Sequence, residues 1–163
     1  MSYRWDMYFL GHALLCAHQS KDPSTQVGCV IVGPDREIRA TGFNGLPRGL
    51  ADTQERLFNR ELKLQLIVHA EQNAVCAAAR VGVSVKGCTL YLAATDAGKS
   101  VWGGCPCTRC LVHVAQAGII EIVSHPFKNM PSRWLDDITQ SRLLAQEMGI
   151  LVREIPYPDG PDL

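Results

Sequence analysis

A layered α/β domain is the fold class this sequence predicts, on three observations. Apolar residues recur at helical spacing in several long stretches, short β-rich runs stand between them, and glycine- or proline-containing turns punctuate the boundaries. Helices alternating with strands in this way build a sheet with parallel pairs, covered by helices.

The elements follow in order. Trp5 to Gln19 carries Phe9, Leu10, Ala13, Leu14 and Ala17 on one helical face, and Lys21-Asp22-Pro23 stops it. Gly28 to Val32 and Glu37 to Phe43 flank Gly33-Pro34-Asp35 and read as a β-hairpin, so the sheet begins antiparallel. A polar stretch, partly helical and irregular, leads to a helix over Val68 to Arg80 and a strand over Thr89 to Ala94. A helix over Cys107 to Ala117 is closed by Gly118, and Ile119 to Ser124 forms the next strand. Asp136 to Met148 is a helix ended by Gly149, Ile150 to Ile155 is the last strand, and the tail from Pro156 is a loop. No repeat or low-complexity linker divides the chain, so residues 1–163 are expected to form one domain.

Composition narrows the function. A hydrophobic fraction of 47% in 163 residues supports a substantial core. The formal net charge of zero, with no polybasic run, disfavours a nucleic-acid partner. Met1 to Asp6 has no signal-peptide pattern, and no apolar run approaches the roughly 20 residues of a membrane span, so a cytoplasmic setting without membrane contact is expected. Of seven cysteines, Cys16, Cys29, Cys76 and Cys88 lie in apolar surroundings and read mostly as small buried residues rather than disulfide partners.

His69-Ala70-Glu71 and Pro106-Cys107-Thr108-Arg109-Cys110 carry the chemistry. His69, Cys107 and Cys110 make three ligands for zinc, leaving the fourth tetrahedral position to water, and Glu71 is a carboxylate free to move that water's proton. His69 and Glu71 do not share a helical face, so both reach one metal only near the end of a helix. Cys107 and Cys110 do share a face, and Pro106 suits a helix start whose positive end favours thiolates. A lone C-x-x-C also serves structural zinc knuckles and redox pairs. The order of the two segments and the proline favour a catalytic ion, with Cys105 as a neighbour and not a ligand. A fourth ligand such as His113, three residues after Cys110, would close the water position. His12, His18 and His125 read as packing or surface residues.

The H-x-E and P-C-x-x-C segments match the signature of zinc-dependent nucleobase deaminases. Together with Ser20 to Gly28 (Ser-Lys-Asp-Pro-Ser-Thr-Gln-Val-Gly), Thr41-Gly42-Phe43-Asn44-Gly45, Val85-Lys86-Gly87-Cys88 and Gln116-Ala117-Gly118-Ile119, they make the chain, from about Trp5 to Glu121, resemble the deoxycytidylate (dCMP) deaminase family. The resemblance implies a three-layer α/β/α cytidine-deaminase-like fold with a five-stranded mixed sheet. It implies hydrolytic deamination of dCMP to dUMP and ammonia, by attack of zinc hydroxide on C4 with Glu71 as proton shuttle. His69, Cys107 and Cys110 are then the ligands of one catalytic Zn2+, and Ser24 and Asn44 hold the nucleotide. The family resemblance further implies a homo-oligomer, a dimer or a hexamer, and Ala74, Ala77 and Ala78 would permit close helix contact.

Asn44 is also legible from its own setting, as a turn amide positioned for a sugar hydroxyl beside Gly45, or as a plain Asn-Gly turn residue. Ser24 is equally a turn hydroxyl after Pro23. A phosphate needs a cation, for which Lys128 is the candidate, with Arg133 or Lys21 as alternatives. The chain departs from the family between Leu92 and Cys107, where Ala94 to Gly104 intervene; Trp102 there could stack on a base or simply pack. Leu50 stands where many relatives have cysteine. The insertion leaves open a 5-substituted dCMP, dCTP, a free nucleoside, a guanine-type base or transfer-RNA adenosine as substrate. A zinc-stabilised binding module without turnover is a further alternative, which Glu71 argues against.

Overall fold

The computed structural model describes residues 2–97, 100–127 and 130–156. Its element order is α1 (Tyr3–Ala17), β1 (Gln26–Val32), β2 (Ile38–Phe43), α2 (Gln54–Phe58), α3 (Arg60–Leu66), α4 (Ala70–Val81), β3 (Thr89–Thr95), β4 (Val101–Trp102), α5 (Thr108–Gln116), β5 (Glu121–Ser124), a 3-10 turn (Ser132–Trp134), α6 (Leu135–Glu147) and β6 (Leu151–Glu154). The strands form a mixed sheet in the order β2-β1-β3-β5-β6, with β1 antiparallel to β2 and β3, and β5 parallel to β3 and β6.

Strand alternation explains the layers, because successive side chains point to opposite faces. Val30 and Val32 of β1 and Tyr91 and Ala93 of β3 meet Phe9, Leu10 and Ala13 of α1. Their neighbours Cys29, Ile31, Leu90 and Leu92 face the other way, onto Ala70 and Ala74 of α4, Leu111 and Val114 of α5, and Ile138 of α6. One helix therefore covers one face and three cover the other.

Two glycines set how closely helices approach the sheet. A Cβ on Gly28 would lie 2.2 Å from the Ala13 oxygen and the Ala17 nitrogen, and one on Gly42 would lie 2.2 Å from the Ala70 oxygen. The second contact fixes the height of the α4 start, where His69 and Glu71 sit. On the α1 face, buried Asp6 accepts from Tyr91 Oη at 2.8 Å and from Arg153 Nη1 at 2.8 Å, while Arg153 Nε donates to Glu121 at 2.7 Å. Burial opposes ionisation of Asp6, but the Arg153 and Tyr91 hydrogen bonds outweigh it and hold the carboxyl below its ordinary range.

The structure corrects several expectations. Among the described residues the sheet has six strands rather than five, because Val101–Trp102 turns back onto Ala94 and Thr95. That hairpin takes the edge of β3 beyond Leu92, where pairing with the parallel strand β5 ends. The polar stretch resolves into two short helices, α2 and α3, capped by the side chains of Thr53 and Asn59. Helices α4 and α5 begin at Ala70 and Thr108, leaving His69 and Cys107 as the capping residues just ahead of them. Ala74 and Ala78 are spent inside the chain against the sheet, and Ala77 is half-buried, so this stripe does not offer a helix face to a second copy. Cys29 and Cys88 are buried as expected, whereas Cys76 is exposed and Cys16 half-buried; all seven cysteines are unpaired.

Candidate active site

The C-terminal half of β3, the start of β1 and the starts of α4 and α5 surround a cleft of about 410 Å³. This is the position, outside the carboxyl ends of parallel strands, where α/β sheets bind ligands, and the volume falls within the range of small-molecule sites. Val27, Leu92 and Ala94 form its floor and Trp102 continues it from the β3–β4 hairpin. A Cβ on Gly103 would lie 1.9 Å from the His125 oxygen, and the Gly104 amide donates to Ser124 Oγ at 3.1 Å, so the return strand is pressed against the end of β5. The indole N–H groups of Trp102 and Trp134, both on the cleft wall, are buried without a hydrogen-bond partner among the described residues.

His69 Nδ1 lies 3.4 Å from Cys107 Sγ and 3.3 Å from Cys110 Sγ, and the three ligand atoms all fall within 4.8 Å of one another. Zinc held at about 2.05 Å from nitrogen and about 2.3 Å from sulfur at a tetrahedral angle sets N···S near 3.6 Å, so this donor set fits that ion. Position follows from local structure: His69 and Cys107 precede the first turns of two helices, and Cys110 lies one turn into α5. Both helices direct their positive ends at the group. Cys105 stays outside it, buried under Ser141, with its thiol pushed up to about 11 by burial. His113 is exposed and pairs with the Arg109 carbonyl of its own helix at 2.7 Å. His12 likewise pairs with the Tyr8 carbonyl.

Electrostatics couple these groups. A hydrogen bond shared with Cys110 pulls the Cys107 thiol down to about 5 against burial, and the same contact pushes Cys110 up. The contact with Cys107 raises His69. Glu71 is 4% exposed, and burial, reinforced by the Cys107 charge, raises its carboxyl above the ordinary range.

Asn44 and Ser24 both line the cleft. Asn44 Oδ1 accepts from the Val27 amide at 2.8 Å and its Nδ2 donates to the Thr25 carbonyl at 2.9 Å, which leaves one N–H and one lone pair for a ligand. Ser24 Oγ donates to Asp22 Oδ1 at 2.8 Å and accepts from Lys63 Nζ at 3.0 Å. Lys128 lies outside the described residues. Lys21 is exposed, pairs with Asp52 at 2.7 Å and does not line the cleft. Arg133 does line it, as do Arg60 and Lys63, which sequence reasoning missed. Lys63 resembles any surface lysine in Arg-Glu-Leu-Lys-Leu, and the carboxylate that identifies it, Asp22, is distant in sequence. Two positioning residues were equally silent. Asp137 of α6 accepts from the Thr108 amide and hydroxyl, fixing the α5 start, and buried Ser141 donates to the Pro106 carbonyl ahead of Cys107.

Three donors at two helix starts, with a buried carboxylate beside them at the carboxyl edge of an α/β sheet, form a group that could hold a metal ion with one position left open. Residues 3–125 match the family model described as the cytidine and deoxycytidylate deaminase zinc-binding region. The chain belongs to this family. Deoxycytidylate deaminase of Pongo abelii is 35% identical over 155 residues, covering 92% of this chain and 79% of the relative, and that of Homo sapiens is 34% identical over the same shares. The dCMP deaminase of cyanophage S-TIM5, solved with dCMP and dUMP, has the same fold, with a TM-score of 0.72 and 24% identity over 95% of this chain and 99% of that one.

Proposed function

We propose that the chain hydrolyses the exocyclic amine of a cytosine deoxynucleotide, converting dCMP and water to dUMP and ammonia. The observation that carries this reading is Glu71, a buried carboxylate beside the His69, Cys107 and Cys110 donors in a cleft of small-molecule size. The names of the relatives at about 35% identity supply the substrate class. His69, Cys107 and Cys110 would hold one Zn2+, which when bound supplies Lewis-acid activation of water. Glu71 takes the proton that the attacking water loses and passes it to the ring nitrogen; it then takes the proton of the new C4 hydroxyl and delivers it to the amine, which leaves as ammonia while the C4 carbonyl forms. Ser24 and Asn44 hold the sugar and phosphate end.

A homo-oligomer and a cytoplasmic setting complete the proposal. No helix of the described residues is long and apolar enough to cross a membrane. The Trp102 wall, which belongs to the insertion, favours a second reading in which the base carries a substituent at C5. Incubating zinc-loaded protein with dCMP, cytidine, dCTP and 5-methyl-dCMP, and following the loss of cytosine absorbance, separates the two. The proposal expects dCMP to be turned over best. Preference for 5-methyl-dCMP would install the second reading, and turnover of none would reject both.

A further inference from the structure

We propose that Asp137, in the first turn of α6, is a positioning residue for the metal group: together with Ser141 it braces the segment carrying Cys107 and so sets how tightly the chain retains zinc. This rests on the zinc reading above and deepens it. Cys107 stands just ahead of α5, where a serine, threonine or aspartate ordinarily accepts from the first N–H groups of the helix. Its side chain makes no such cap bond and lies instead 3.4 Å from His69 Nδ1. The capping work comes from another helix.

Asp137 Oδ2 accepts from the Thr108 amide at 3.1 Å, and Oδ1 accepts from the Thr108 hydroxyl at 2.6 Å, so both carboxylate oxygens hold the first residue of α5. Ser141 lies one turn further along α6, on the same face. Its buried hydroxyl donates to the Pro106 carbonyl at 2.5 Å and lies 3.5 Å from Cys105 Sγ. The Pro106 carbonyl belongs to the peptide plane before Cys107, and the Thr108 amide to the plane after it. Holding both planes fixes φ and ψ of Cys107, at −59° and 158°, and with them the direction of its Cα–Cβ bond.

Metal sites hold their distances within about 0.2 Å, so an ion draws full affinity only from sulfurs already in place. Without the brace, the folded chain spends part of its time with Cys107 turned elsewhere, and the apparent affinity falls with the fraction that stays competent. A plain structural cap behaves differently: it supports the zinc-free and zinc-loaded folds equally and drops out of the affinity. Helix α6 lies beyond residues 3–125, the stretch matched to the family, so the ligand motif itself does not specify the brace.

The test is the zinc Kd of the full chain, measured by competition with a coloured chelator, for wild type, Asp137→Ala, Asp137→Asn, Thr108→Val and Asp6→Ala. Asp137→Ala is expected to weaken zinc binding about 10- to 100-fold, the usual effect of losing a group that orients a metal ligand. Asp137→Asn should recover most of that loss, because its Oδ1 still accepts from the Thr108 amide while its NH2 donates to the Thr108 hydroxyl, which reverses. Thr108→Val deletes one of the two donors and leaves α6 untouched; it should show a smaller loss in the same direction, and it carries the test if Asp137→Ala does not fold. Asp6→Ala, on the opposite face of the sheet, should leave the Kd unmoved although it lowers stability. A wild type that binds one zinc per chain, with Asp137→Ala and Thr108→Val binding it equally well, would overturn the brace and leave the zinc reading standing. An equal loss in Asp6→Ala would overturn it too, by showing that zinc affinity follows general stability. A wild type that binds no zinc would remove the zinc reading and the brace with it.

Discussion

Replacing Gly42 by alanine should separate the proposed zinc donors without touching His69, Cys107 or Cys110. The added Cβ would lie 2.2 Å from the Ala70 oxygen, 2.6 Å from the Ala74 nitrogen and 3.1 Å from Ala74 Cβ. Two of these neighbours are backbone of α4, which cannot rotate away. Ordinary contact lies near 3.5 Å, so the start of α4 must retreat by roughly 1 Å. His69 caps that helix, 3.4 Å from Cys107 Sγ, and Glu71 is in its first turn. Metal sites hold their distances within about 0.2 Å, and a misplacement of about 1 Å at a reacting centre can cost on the order of 100-fold. Gly42→Ala should therefore lower kcat/KM for dCMP by about 100-fold, weaken zinc retention against a chelator, and lower stability by about 1–3 kcal/mol through overpacking. Gly11→Ala is the control, because nothing lies within 4 Å of its added Cβ and it sits within α1. That variant should be unchanged in activity and more stable by about 0.5–1 kcal/mol. The reasoning fails if Gly42→Ala keeps wild-type zinc affinity and turnover, or if Gly11→Ala loses them equally.

Other expectations follow from single groups. Glu71→Gln should still bind one zinc per chain by elemental analysis while losing about 100- to 10,000-fold in kcat, the usual worth of a positioned proton carrier. Asp6→Ala removes the carboxylate that pairs with Arg153 on the α1 face, away from the cleft; it should cost about 3–5 kcal/mol in denaturant unfolding and leave kcat per folded molecule unchanged. The Asp6 and Asp22 carboxyls are held below their unfolded values, burial opposing the shift and hydrogen bonds from Arg153 and Tyr91, or from Lys63 and Ser24, prevailing. Their stabilisation is present above the unfolded pKa and is lost as pH falls through the folded one. Acid unfolding followed by circular dichroism should therefore begin below the ordinary carboxylate range, and Asp6→Asn should flatten that limb.

Much of this was legible in the chain. Helix and strand periods follow from one-dimensional patterning, and a metal demands donors at spacings that a helix start satisfies, so the segments around His69 and Cys107 pointed to the three donor atoms that the fold brings together. The Gly-Phe-Asn-Gly segment marked the loop where Asn44 lines the cleft. What was hidden depends on partners distant in sequence. Lys63 needs Asp22 to be more than a surface charge, and Asp137 needs Thr108. The alanines of α4 suggest a helix contact until Gly42 shows that the sheet fills it. Val101–Trp102 has too few residues to display a strand period, and only the free edge of β3 beyond Leu92 makes it one.

Hydrolysis itself is tested most directly by running the zinc-loaded protein on dCMP in water enriched in heavy oxygen and weighing the product. The account predicts dUMP carrying one heavy oxygen at C4 with an equimolar release of ammonia, both formed about 100- to 10,000-fold more slowly by the Glu71→Gln protein. Absence of ammonia and dUMP from a fully zinc-loaded wild type, or product formed at the same rate by Glu71→Gln, would contradict it.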